Sequence, residues 1–176
     1  MNAPSAAAAP QTPTRRPASP ALLQALRQRF GERCSTAASV REQHGRGESV
    51  YDAAPPDAVL FCESTDEVCA VLALAHEHDV PVIPFGVGSS LEGHLLAVQG
   101  GLSVDLSRMN HVLRVNAEDL TATVQAGVTR KAVNEEIKST GLFFPIDPGA
   151  DATIGGMSAT RASGTNACLL YTSRCV

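Results

Sequence analysis

The sequence predicts an α+β fold, and three observations predict it. After an opening helix, the periodicity of apolar residues runs strand, helix, strand, strand, strand, strand, helix. Hydrophobic residues make up 44% of the chain and charged residues 18%, a balance that lets one domain, or part of a larger one, bury a core. Glycine-rich turns, rather than repeated units, separate the regular stretches, and no internal repeat is present.

The elements follow in order. Residues 20–30, PALLQALRQRF, place Leu22, Leu23, Leu26 and Phe30 at helical spacing and stop at Gly31. Residues 31–58 read as loop, with HGRGES at 44–49 and AAPPDA at 53–58. A short strand covers 59–61. Ser64 and Glu67 then fit a capping box, opening a helix to about His78 that is expected to bury Val68, Val71, Leu72 and Ala75. His76 and His78 lie two residues apart, so they face different directions and read as solvated helix-end residues rather than a metal pair. Val82 and Ile83 form a strand between Pro81 and Pro84. Gly100-Gly101 is a turn, and 102–106 alternates like a half-buried strand. Strands at 112–115 and 120–125 flank the polar turn 116–119. Thr129 caps a helix through Val133 and Ile137 to Gly141, its C-cap.

Composition excludes some functions. With 14 basic and 18 acidic residues the net charge is −4, which gives no general attraction to nucleic acid or an anionic membrane. There is no Trp and there are only two Tyr and five Phe, too few for a base-stacking platform. The five cysteines, Cys34, Cys62, Cys69, Cys168 and Cys175, include no C-x-x-C pair and read as free thiols in a reducing compartment; no metal site is read. No stretch reaches the length of a transmembrane helix. Residues 1–19 are Ala-, Pro- and Ser/Thr-rich, with Arg15 and Arg16 and no acidic residue. That suits a transit peptide, but four prolines before Pro20 oppose an amphipathic helix and favour a disordered tail. A cytoplasmic protein, at most peripheral to a membrane, is expected over a mitochondrial one.

Three segments carry the chemistry. Residues 81–93, PVIPFGVGSSLEG, run from a strand into a turn with Gly86, Gly88 and Gly93. Such a turn uncovers consecutive backbone N–H groups and makes either a phosphate cradle or an ordinary tight turn. No amphipathic helix follows and no Lys-Ser/Thr is present, so neither a Rossmann fingerprint nor a Walker motif fits. Any diphosphate here is held by amides and by Ser89 and Ser90, without a helix dipole. Residues 145–166, PIDPGADATIGGMSATRASGTN, are dense in small residues that let a backbone lie against a flat ligand. At Gly127 a strand ends just before a helix. The three segments could converge on one extended cofactor.

These residues resemble a known family. PFGVGSSLEGH, VDLSRMNHVLRVNAEDLTATVQAGVTR and GLFFPIDPGADATIGGMSATRASGTNA are similar to the FAD-binding half of cytochrome-type D-lactate dehydrogenases, flavoproteins of the p-cresol-methylhydroxylase (vanillyl-alcohol-oxidase) type. Glycolate oxidase flavin subunits are similar over the same residues. The resemblance covers about residues 41–167. It implies two α+β subdomains with the cofactor between them: 55 to about 130 match the first subdomain, and 131–167 its end and the entry into the second. The implied division is a tail at 1–19, a helix and loop at 20–54, an incomplete FAD-binding domain at 55–167 and a tail at 168–176.

By that match Gly86, Val87, Gly88, Ser89 and Ser90 hold the FAD diphosphate. Pro148, Gly149, Thr153, Gly155 and Gly156 line the diphosphate and the ring, Gly127 passes close by, and Ser163, Gly164 and Asn166 lie near the ring and ribityl chain. Serines stand where some relatives attach FAD through a histidine, which implies non-covalent FAD; His94 is a weak second candidate for attachment. Arg161 reads as structural. The implied reaction is oxidation of a 2-hydroxyacid, D-lactate foremost: a base takes the hydroxyl proton, hydride passes to FAD, and electrons leave to cytochrome c or a quinone. The family's catalytic residues lie in a C-terminal half that is absent here, so no catalytic residue is named.

Gly47 stands where relatives carry an acidic residue. After Ala167 the sequence CLLYTSRCV departs from the family and reads as a non-native tail on a fragment. Such a fragment is expected to bind FAD weakly or not at all and to lack dehydrogenase activity. A stand-alone nucleotide-binding module and a ligand-free protein whose glycines serve only turns are the competing readings.

Overall fold

The two middle strands of a four-stranded sheet position everything else. A computed structural model describes residues 14–164. In it β1 (Cys34–Ser35), β2 (Ala58–Phe61), β4 (Leu102–Asp105) and β3 (Val82–Phe85) lie side by side in the order β1-β2-β4-β3. β1 pairs antiparallel to β2, and the other pairings are parallel. The crossover from β2 to β3 runs through α3 (Thr65–Glu77). β4 then inserts between them, so Val104 faces Leu60 on one side and Pro84 on the other.

All four residues of β4 are buried. This corrects the half-buried reading of 102–106. A central parallel strand is covered on both faces, so its alternation of apolar and polar residues does not report exposure. On one face α1 (Pro20–Phe30) and α3 pack Leu22, Leu26, Phe30, Val71 and Ala75 against Leu60, Leu102 and Val104. Ser19 caps α1 through Leu22 N–H, with Pro20 at its first turn. In α3 Leu72 is 47% exposed, against expectation, because the buried stripe runs through Val71 and Ala75. Ser64 Oγ accepts from Glu67 N–H as predicted. The Glu67 carboxylate, however, takes the N–H of Glu63 (2.8 Å) and the Arg33 guanidinium.

The opposite face holds α2 (Ala38–His44), inside the stretch read as loop. Its N-cap is Ala37, with no capping side chain, so the usual start signal is missing. Arg41 Nε donates to Pro56 O at 2.6 Å, and a Cβ on Gly45 would lie 2.3 Å from Pro55 Cα. These tertiary contacts hold a helix too short to persist alone.

Beyond β4 the chain forms a hairpin, β5 (Val112–Asn116) and β6 (Thr121–Val124), with an irregularity between Val112 and Arg114. α4 (Arg130–Ile137) starts at its cap Thr129, continues as a 3-10 turn and ends at left-handed Gly141. It buries Val133 and Ile137 with Val128 in a second, smaller core, joined by Val112, Val124, Phe144 and Ile154. α5 (Ile154–Thr160) lies within the small-residue stretch 145–166.

Residues 14–18, within the expected tail, contact the domain. Arg15 pairs with Asp57 (2.9 Å), Arg16 with Asp79 (2.9 Å), and Ala18 N–H donates to Asp57 Oδ2 (2.9 Å). Asn166, Cys168 and Cys175 and the two terminal tails beyond 14 and 164 lie outside the described residues.

Candidate functional site

β3 ends at Phe85, and residues 86–93 carry the chain away from the sheet edge. Gly88 has φ 76°, open to glycine at little cost. Among the described residues none accepts a hydrogen bond from the N–H of Val87, Gly88, Ser89 or Ser90. Consecutive amides without an internal acceptor are available to donate to an anion such as a diphosphate. Ser90 Oγ contacts Glu92 (2.9 Å) and His94 Nδ1 (2.8 Å), so that hydroxyl is already engaged within the loop. The Ser90 hydroxyl holds the exposed Glu92 carboxyl below the usual range.

The second segment reaches this loop directly. A Cβ on Gly86 would lie 2.5 Å from Thr153 Oγ1, so the first glycine is needed to seat the loop against the start of α5. Thr153 Oγ1 caps that helix by accepting from Gly156 N–H (3.2 Å). This changes the picture of a loop with no helix terminus beside it. The terminus comes from residues 153–156, more than sixty positions later in the chain.

The third segment holds the second in place. Ile154 N–H donates to Val128 O (2.8 Å), Gly155 N–H to Ala126 O (2.9 Å) and Arg130 N–H to Ala152 O (3.0 Å), with a bridge between Thr129 and Thr153. The three glycine-bearing segments therefore meet. Their glycines differ in purpose. A Cβ on Gly127 would sit 1.9 Å from Leu106 O, one on Gly155 2.8 Å from Ala126 Cβ, and one on Gly164 2.2 Å from Asp147 O. These three serve backbone-on-backbone packing. Gly149 (φ 89°) has nothing within 4 Å of its Cβ position, and Pro148, Gly149, Gly156 and Ser163 are exposed. The Gly149 turn is set by Asp147, whose Oδ1 accepts Gly149 N–H (3.2 Å) and lies 3.4 Å from Arg130. Arg161 adopts a left-handed conformation (φ 52°) as the C-cap of α5.

Sequence reasoning missed His44, buried behind Phe85. Its ring lies 4.2 Å from the Phe85 ring and 2.9 Å from Asp105 Oδ2. The only signal was its position at the head of HGRGES. A shallow hollow of about 380 Å³, lined by Tyr51, Asp52, Glu92, Gly93, Leu96 and Val98, flanks the outer end of the loop. No group of three or more His, Cys, Asp or Glu among the described residues is placed to hold a metal ion. No described helix is long and apolar enough to cross a membrane.

A glycine turn at the end of a parallel strand, seated through Gly86 on the capped start of a helix from a distant segment, has neither Rossmann nor Walker geometry. The chain belongs to the FAD binding domain family, whose model matches residues 56–176. It is 50% identical over 143 residues to probable D-lactate dehydrogenase, mitochondrial, of Danio rerio (81% of this chain, 29% of that one). It is 38% identical over 155 residues to D-lactate dehydrogenase [cytochrome], mitochondrial, of Arabidopsis thaliana (87% and 27%). It is 42% identical over 113 residues to glycolate oxidase subunit GlcD of Bacillus subtilis (60% and 24%). The chain thus spans under a third of the length of these relatives.

Among solved structures, alkyldihydroxyacetonephosphate synthase superposes with a TM-score of 0.76 at 28% identity, covering 86% of this chain and 33% of that one. p-Cresol methylhydroxylase does so at 0.70 and 20%, covering 81% and 29%, which shows the shared fold. The expected fold class, flavoprotein family and FAD cofactor are borne out. The cytoplasmic expectation is corrected: the Danio and Arabidopsis relatives, and those of two yeasts, are named mitochondrial. That expectation rested on the prolines of the N-terminal segment.

Proposed function

We propose that this chain supplies one wall of the FAD site in a flavin-dependent 2-hydroxyacid dehydrogenase, acting on D-lactate or a close analogue. The observation that carries the reading is the run of unengaged amides at 87–90, next to Gly86, which seats against Thr153. In this reading those amides and the Ser89 hydroxyl bind the diphosphate. Pro148, Gly149 and Gly156 lie along the cofactor, with Ser163 and Asn166 toward the ring. Gly86, Gly127, Gly155 and Gly164 act behind them, letting the backbones close up. FAD, when bound, supplies the hydride acceptor; the protein binds and orients it. With serines at 89 and 90, the flavin is held non-covalently.

The names of the relatives support a 2-hydroxyacid substrate and a cytochrome as acceptor, with a quinone as the alternative acceptor in this reading. The name of the Bacillus relative makes glycolate the alternative substrate in this reading. The catalytic residues are proposed to lie outside residues 14–164.

Amide-resolved NMR of the ¹⁵N-labelled chain titrated with FAD tests the cradle and works for weak binding. Saturable shifts are expected at Val87–Ser90 and Gly149, reduced in Gly88→Val. Absent shifts there, or shifts confined to the β5–β6 hairpin, overturn the reading. Flavin released on denaturation confirms non-covalent attachment; flavin retained on the chain overturns it.

A further inference from the structure

One buried hydrogen-bonded pair plays no part in the reading above. His44, 3% exposed, closes α2, and Asp105, 4% exposed, closes β4. His44 Nδ1 lies 2.8 Å from Val40 O, and Nε2 lies 2.9 Å from Asp105 Oδ2. Asp105 Oδ1 accepts Ser107 N–H at 2.7 Å. A carbonyl can only accept, so Nδ1 carries the proton it donates to Val40, which leaves Nε2 to bond the Asp105 carboxyl. Burial works against ionisation of Asp105, but the hydrogen bonds from His44 and Ser107 outweigh it and hold its carboxyl below the usual range.

A buried polar pair is costly unless its geometry is satisfied, and it is weak evidence for stability. What this pair does is fix a position. The His44 ring packs on Phe85 at 4.2 Å with a 40° tilt and meets Phe61 edge-on at 5.8 Å. Phe85 is the last residue before the loop, and its ring lies under Gly88, where a Cβ would be 3.1 Å from Cζ. Phe85 O accepts Leu106 N–H (3.0 Å), one residue past Asp105. The pair thus joins the end of β4 to the ring that supports the floor of the loop.

We propose that His44 is a positioning residue for the cofactor loop, orienting Phe85 and through it Gly88 by its bond to Asp105. The inference rests on the reading of residues 87–90 as the diphosphate cradle. The test combines loop order with FAD affinity in the full chain. His44→Gln is expected to raise ¹⁵N-relaxation mobility at Gly86 and Gly88 and to weaken FAD about tenfold, the effect of one unsatisfied buried partner. The double variant His44→Gln/Asp105→Asn, whose two amides can pair, is expected to restore both. Val71→Ala, which destabilises the opposite sheet face, is expected to leave loop order unchanged.

The imidazole nitrogen spectrum of His44 is expected to move in Asp105→Asn, because Nε2 loses its carboxyl partner. An imidazole spectrum unchanged by Asp105→Asn overturns the proposal even if His44→Gln fails to fold. Loop order unchanged in His44→Gln also overturns it, as does a loss matched by Val71→Ala. If Gly88→Val leaves FAD shifts intact, the cradle reading itself fails. If Gly88→Val abolishes them and His44→Gln does not weaken them, only the positioning role fails.

Discussion

Single residues divide into those whose surroundings fix their chemistry and those whose backbone does. Cys62 is buried, and burial, reinforced by Glu67, pushes its thiol up to about 11. Burial also raises the Cys34 thiol, whereas Cys69 is exposed. The thiolate is the reactive form, so iodoacetamide at mildly alkaline pH is expected to label Cys69 before Cys34 or Cys62, read by peptide mass spectrometry. Early labelling of Cys62 would contradict its burial. The glycines make a second contrast. Gly127→Ala forces a methyl toward the Leu106 carbonyl and is expected to cost about 1–3 kcal/mol in urea unfolding. Gly149→Ala meets open space, so only its positive φ matters, at about 1–2 kcal/mol. The sequence shows both glycines but not that one is pressed against backbone and the other free. That difference depends on neighbours far along the chain.

At the scale of elements, local chemistry was legible where it was self-contained. Ser64 caps α3, Thr129 caps α4, and Gly141 ends the turn after it, each signalled within a few residues. Ser64→Ala is expected to lower stability by about 1 kcal/mol, measured as a shift in urea midpoint with unchanged slope. α2 and α5 were not legible. α2 has Ala37 for a cap, and its His44 finds its partner sixty-one residues away. α5 opens Ile-Gly-Gly, a poor helix start by propensity, and is held by the Thr153 cap and by bonds to Ala126 and Val128. The candidate site shows the same limit. Its glycine-rich segments were visible one by one, but their meeting at Gly86 and Thr153 is a tertiary fact.

Over the whole molecule, three carboxylates bind distant parts together. Asp57 accepts from Ala18 and Gly101 N–H and pairs with Arg15; these contacts outweigh burial and hold its carboxyl low. Glu67 is held low by Arg33, and Asp105 by His44 and Ser107 against its burial. Each folded pKa lies below the unfolded one. The stabilisation is therefore complete above the ordinary carboxylate range, about pH 4, and is lost as pH falls through the folded values. Acid unfolding followed by circular dichroism is expected to be steep below about pH 4, and shallower in Asp57→Asn. An unchanged acid limb in that variant would remove Asp57 from the account.

The insertion of β4 between β2 and β3 has a kinetic meaning. Before residues 102–105 arrive, β2 and β3 face each other across a gap of one strand, about 10 Å, which neither can close alone. The central strand comes last in the sheet, and the chain between β3 and β4 is the glycine loop with its continuation to Gly101. Loop closure and sheet completion are then a single event in time. Pulse-labelling hydrogen exchange during refolding is expected to protect Val82–Phe85 and Leu102–Asp105 together, in the slowest phase of the sheet. Protection of Val82–Phe85 ahead of Leu102–Asp105 would separate the two events. Slow-exchanging protons would thus record the moment at which the cradle takes its shape.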